Sequence, residues 1–158
     1  MTVARALAIA LVILIPGAAV TAGAQSAPAK KTTKAIDLSK YPAPVRATIE
    51  AETKNATLKG VSKETEKGKV QYEVETLVNG RTRDLLVDPA GKVIQVEEEI
   101  ALDAAPAAVQ DAINKQGKAM RVESVRTGDV TTYEAIVQGK NGKKRTVELD
   151  AQGKPIKG

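Results

Sequence analysis

The chain has 158 residues, with no Cys, His, Phe or Trp, three Tyr and a formal charge of +5. Without His or Cys it has no Ser-His-Asp or Cys-His nucleophile, no thiol redox chemistry and none of the usual zinc or copper ligands. Arg5, Lys30, Lys31 and Lys34 precede Asp37 and leave 20 basic against 19 acidic residues from there on. A near-neutral body with few aromatics offers neither the basic face nor the stacking platform that nucleic-acid binding needs.

Residues 1–24 read as a signal peptide. Arg5 supplies the basic start, ALAIALVILIP an apolar run too short for a comfortable membrane span, and Ala22–Ala24 the small residues before a cleavage point. No cysteine follows, so a lipid anchor is excluded. The expectation is a periplasmic or secreted protein with no stable membrane span after cleavage. Residues 25–36, rich in Lys, Ala and Thr, have the composition of a flexible linker.

The body reads as one unit written twice, over residues 37–100 and 101–158. LSKYPAPVRATI (38–49) aligns with LDAAPAAVQDAI (102–113), bringing Pro42 onto Pro106 and Val45 and Ile49 onto Val109 and Ile113. Further on, Tyr72-Glu73 matches Tyr133-Glu134, Asn79-Gly80 matches Asn141-Gly142, and DPAGKVI (88–94) matches DAQGKPI (150–156). Each unit is expected to open with a helix capped by Ser39 or Asp103, carrying its apolar pair four residues apart on one face. Gly117 is the expected stop of the second helix.

Strands come next. A first strand is expected near 57–65 and again near 120–127; its broken alternation predicts a bulge. KVQYEVETLV alternates Val70, Tyr72 and Val74 with Gln71, Glu73 and Glu75, which predicts a half-buried strand, and TTYEAIV repeats the pattern. RTRDLLVD and KKRTVELD give the third strands, joined to the second by NG hairpins. DPAG and DAQG are turns in which the aspartate bonds the backbone and glycine supplies positive φ. KVIQVEEE gives a fourth strand, with KPIK as its short copy. The predicted fold is α+β: two tandem repeats, each a helix packed on a roughly four-stranded antiparallel meander.

The run YEVE–NG–LxxDxxGKVxxVEEE of the first unit, with its looser copy in the second, resembles the PepSY-like domains related to β-lactamase-inhibitor-like folds. That resemblance implies an exported, non-enzymatic module that binds or restrains a protein such as a peptidase, with a concave sheet as the binding surface.

No convergent catalytic site and no cofactor is expected. Glu97, Glu98 and Glu99 carry enough oxygen for calcium, but neighbouring strand residues point to opposite faces; a charged edge strand is the expected role. The candidate binding surface is the sheet face away from the helices: Glu73, Glu75, Leu77, Leu86, Glu134, Ile136 and Glu148. Leu77, Leu86 and Ile136 are apolar where the alternation asks for polar residues, as a contact patch would be. The leading expectation is binding or inhibition of a protein partner, a peptidase or an envelope protein. The alternative is an envelope structural protein or one that sequesters a small ligand or ion.

Overall fold

The computed structural model describes residues 36–156. The expected signal peptide, and the expected linker up to residue 35, lie outside the described residues. Seven strands form a single antiparallel sheet in chain order: β1 (Thr57–Glu66), β2 (Lys69–Val78), β3 (Arg81–Val87), β4 (Val93–Glu99), β5 (Lys118–Thr127), β6 (Val130–Gln138) and β7 (Lys144–Asp150). Helix α1 (Ala43–Glu52) precedes β1, and α2 (Ala107–Gln116) lies between β4 and β5.

This corrects the expected architecture. The chain is α+β, but it is not two separate helix-and-meander repeats. β4 pairs with β5 through Val96–Arg126, Glu97–Val125, Glu98–Ser124 and Glu99–Glu123, so one ladder runs from β1 to β7. Glu97–Glu99 therefore belong to an interior strand and not to an edge. The second copy of the fourth strand is reduced to a single bridge between Leu149 and Pro155, with Ile156 N–H donating to the Glu148 carbonyl. Pro155 has no N–H to extend the ladder.

Both helices cover the same sheet face. Val45 and Ile49 of α1 pack with Tyr72, Val74, Leu85, Val87 and Val96. Val109 and Ile113 of α2 pack with Val122, Ala135, Val137 and Leu149. Cross-strand partners share a face, and the register carries the Val74–Leu85–Val96 row across β4 into the parity of Val122 and Ser124. The core is aliphatic, with one edge-on ring pair, Tyr41 and Tyr72, 5.9 Å apart. Tyr72 is buried, as its inward position predicts, whereas Tyr133 is half-buried.

Local signals are mostly realised. The expected bulges occur between Leu58 and Gly60 and between Ala119 and Arg121. Asn79 and Gly80 take positive φ in the two-residue β2–β3 turn, as do Lys67 and Gly68 between β1 and β2. Gly117 ends α2 at φ 151°, its N–H on the Ile113 carbonyl. The expected helix caps are corrected. Ser39 and Asp103 sit in short 3-10 turns, Leu38–Lys40 and Leu102–Ala104, and the helices start after Pro42 and Pro106. Each X-Pro pair favours extended backbone and delays the helix. Asn141-Gly142 is not a two-residue turn, because the residues between β6 and β7 lengthen the loop; Gly139 N–H donates to Lys143 O and Gly142 N–H to Gly139 O.

The DPAG and DAQG turns are built alike. Asp88 Oδ1 accepts from Ala90 N and Lys92 N, each at 2.9 Å, and Asp150 Oδ1 accepts from Gln152 N and Lys154 N, also at 2.9 Å. Each turn rests on a helix. Thr48 Oγ1 donates to Gly91 O at 2.6 Å, and a Cβ at Gly91 would lie 2.6 Å from the Pro44 carbonyl oxygen. Gly91 also has φ +84°, so both its conformation and its contact exclude a side chain. Gly91→Ala should lower stability by about 2–5 kcal/mol, the sum of αL strain and overpacking. Gly128→Ala, at φ +59° with open space around it, should lose only about 1–2 kcal/mol. Urea denaturation of both variants checks the difference.

Candidate functional site

The helices leave the other sheet face without a described element upon it. Its composition follows from strand parity. In the row Gly60–Glu75–Asp84–Glu97–Val125, neighbours are direct cross-strand partners. In the next row, Glu99, Glu123, Glu134 and Glu148 are likewise successive partners. Like charges facing each other across a ladder are destabilising, yet here they run side by side over most of the sheet.

Several residues of this face are buried although no helix covers them: Gln71 is 5% exposed, Glu73 9%, Gln95 8% and Val125 4%. The side chains thus shield one another, and the carboxylates are partly removed from water. Burial and the Glu123 carboxylate, with smaller contributions from Glu134 and Asp84, push Glu97 up to about 7, against the pull of the Gln95 hydrogen bond. Burial, then Glu123 and Glu148, push Glu134 up to about 7. Burial and the neighbouring Glu64 raise Glu73; Asp84 and Glu123 are raised too, first by burial.

Specific bonds hold part of this charge. Gln95 Nε2 donates to Glu97 at 2.6 Å, Thr76 N–H to Asp84 at 3.1 Å, and Thr82 Oγ1 to Glu99 at 3.3 Å. Arg121 stands among the acids and pairs with Glu123, while its Nη2 also donates to Thr82 Oγ1 at 2.6 Å. Lys118 and Lys144 share the face only at its far end, opposite Gln138. Two buried groups on this face lack a hydrogen-bond partner: the Gln71 amide nitrogen and Arg121 Nε.

The sequence-predicted candidates all fall on this face by register. Glu73, Glu75 and Leu77 lie on β2, Leu86 on β3, Glu134 and Ile136 on β6, and Glu148 on β7. Glu73 is buried, Glu75 exposed and the others half-buried. Glu75 reaches over Gly60, where a Cβ would meet its Oε2 at 2.8 Å. Sequence reasoning missed the centre of the row, Glu97, Glu99, Arg121 and Glu123, because it placed β4 at an edge. The period-two charged residues of VEEE (Glu97, Glu99) and of RVES (Arg121, Glu123) were the signal. Among the described residues no group of three or more acidic side chains is placed to hold a metal ion, and no helix is long and apolar enough to cross a membrane.

No protein-family model matches the chain, and no curated protein does. Solved structures do. One, described among "putative periplasmic proteins" from Bacteroides eggerthii, superposes with a TM-score of 0.60 at 18% identity, over 74% of this chain and 86% of that one. A DUF2874 family protein from Bacteroides uniformis gives 0.58 at 20% identity, covering 73% and 86%. A BLIP-like protein from Bacteroides fragilis gives 0.54 at 18%, covering 74% and 84%. At such identities the likeness is one of fold.

The raised carboxyls tie stability to pH with a definite sign. Folded Glu97 and Glu134 hold their protons up to about 7, whereas their ordinary value is 4.5. Between those values the folded chain binds more protons than the unfolded one, so stability falls as pH rises. This contribution is fully present below about 4.5 and lost as pH passes about 7. The melting temperature should therefore be higher near pH 5 than near pH 8. Glu97→Gln should raise stability near pH 8 by about 1–2 kcal/mol, after allowance for solvent screening on a half-open face, and flatten the profile. Calorimetric melts of both proteins across this range check it.

Proposed function

We propose that the chain is an exported, non-enzymatic module that holds a protein partner on the helix-free face of its sheet. The observation that carries this reading is the half-buried acidic face. It keeps like charges opposed and two buried donors unpartnered, an arrangement that costs stability and that a covering partner would relieve. The helix face supplies the core, so the other face is free to serve a second purpose. The apolar Leu77, Leu86 and Ile136 add contact area among the acids.

Export rests on the signal-like residues 1–24 and accords with the "putative periplasmic proteins" description of one protein of similar fold. Binding accords with the BLIP-like description of another. An exported peptidase is the partner class that the PepSY-like resemblance implies. The ion-sequestering alternative is weaker, because the carboxylates lie in rows at strand spacing and do not gather about a point.

Photo-crosslinking in the producing cells tests this. A photoreactive residue at Leu86 or Ile136 should give a discrete crosslinked protein, and one at Glu50, exposed on α1, should not. Leu86→Glu together with Ile136→Glu should abolish capture from a site at Thr132 while circular dichroism stays native. Absence of any crosslink from the sheet face, or equal crosslinking from Glu50, would overturn the reading.

A further inference from the structure

We propose that the partner presents an extended, Lys- or Arg-rich segment laid across the strands, its cationic heads on the two carboxylate rows and its alkyl stems on the neighbouring aliphatic side chains. This rests on the binding reading above and specifies the partner's chemistry.

Three observations converge on a cationic peptide. The first is charge: Glu75, Asp84 and Glu97 form one row and Glu99, Glu123, Glu134 and Glu148 the next, with Arg121 the cation set among them. The second is spacing. Leu77, Leu86 and Ile136 each sit two residues along their own strand from a carboxylate, at Glu75, Asp84 and Glu134. That separation is about 7 Å, the reach of a lysine stem, so one side chain can lie on the aliphatic residue and place its head on the acid. A bare metal ion would use none of the aliphatic positions, and among the described residues no acidic group is placed to hold one.

The third observation lies within the rows. Arg121, opposite Ile136 and two residues from Glu123 on β5, has a buried Nε without an acceptor. A buried donor without a partner is costly, and a backbone carbonyl of a bound peptide is the acceptor such a segment brings. From β2 to β7 the rows cross five strand spacings, about 24 Å, which an extended peptide of about seven residues spans.

Binding should also depend on pH. Around Glu97 stand Asp84 from β3, Glu123 from β5 and Glu134 from β6, and around Glu134 stand Glu123 and Arg121 from β5 and Glu148 from β7. A cation beside these carboxylates favours the ionised form of each, so binding expels protons and weakens as pH falls.

Calorimetric titration of the full chain with heptalysine, heptaglutamate and calcium, near pH 5 and near pH 8, tests this. Heptalysine should bind at least about tenfold more tightly near pH 8. Glu97→Gln with Glu134→Gln, which should fold at least as stably as the parent, should weaken binding about tenfold or more. Glu50→Gln with Asp111→Asn, on exposed helix positions, should leave it unchanged. The inference is overturned if heptalysine does not bind, if the helix pair loses as much as the sheet pair, or if calcium binds and heptalysine does not. Sheet-face crosslinks obtained alongside a failed heptalysine titration would leave the binding reading standing and remove only the cationic segment.

Discussion

The pairing of β4 with β5 is the constraint on which the rest depends. Val96–Arg126 and Glu98–Ser124 continue the helix-covered face from one half to the other, and Glu97–Val125 and Glu99–Glu123 continue the opposite face. The ladder is prolonged by Ile100 N–H on the Val122 carbonyl at 2.9 Å. Had the halves closed separately, Glu97 and Glu99 would line a solvated edge, where charge is cheap and protects against stray pairing. Because they pair, the same residues stand in mid-sheet, flanked by Asp84 and Glu123. Glu97 loses water and gains like-charged neighbours, and its raised protonation follows from those two facts.

Such a face has to be tolerated by the fold. Hydrogen bonds from Gln95, Thr82 and the Thr76 backbone hold individual carboxylates, and Arg121 neutralises one. Protonation near neutrality removes further charge. The aliphatic core beneath the helices supplies the stability against which these costs are set: Val45, Ile49, Val109 and Ile113 are fully buried, as are the strand residues they meet at Val74, Leu85 and Val137. At the seam, Arg83 bonds Glu52 at 2.9 Å and Glu98 at 3.0 Å, tying the end of α1 to β4 on the core side.

What could be read in the sequence was local. The apolar pairs four apart, the alternation of β2 and β6, the bulges near Gly60 and Arg121 and the aspartate turns at 88 and 150 each express a backbone preference within a few residues. Even so, Ser39 showed how local competition misleads: Asp37 takes its N–H at 3.0 Å, and Pro42 defers the helix to Ala43. The union of the two halves was not legible, because an acidic alternating strand reads the same at an edge as in a sheet interior. Glu73, Glu75, Glu134 and Glu148 could be assigned to one face by parity within each half. That the two sets form one continuous surface required the β4–β5 register, a contact between residues about 30 positions apart.

Strand parity then separates the demands on this molecule. One parity carries Val, Leu, Ile and Tyr against two helices. The other carries Glu and Asp beside isolated Leu, Val and Ile. If stability alone governed the second parity, opposed pairs such as Glu123–Glu134 and Glu134–Glu148 would be poor choices, since Thr or Lys at alternate positions would keep the face soluble without repulsion. Surface charge for solubility does not account for them either, because carboxylates that hold protons near neutrality contribute less charge than exposed ones. Residues that break a local rule without a compensating contact are where function is to be sought. Here they fall on one continuous surface, together with the unpartnered Gln71 amide and Arg121 Nε, and that is where a covering partner would compensate them.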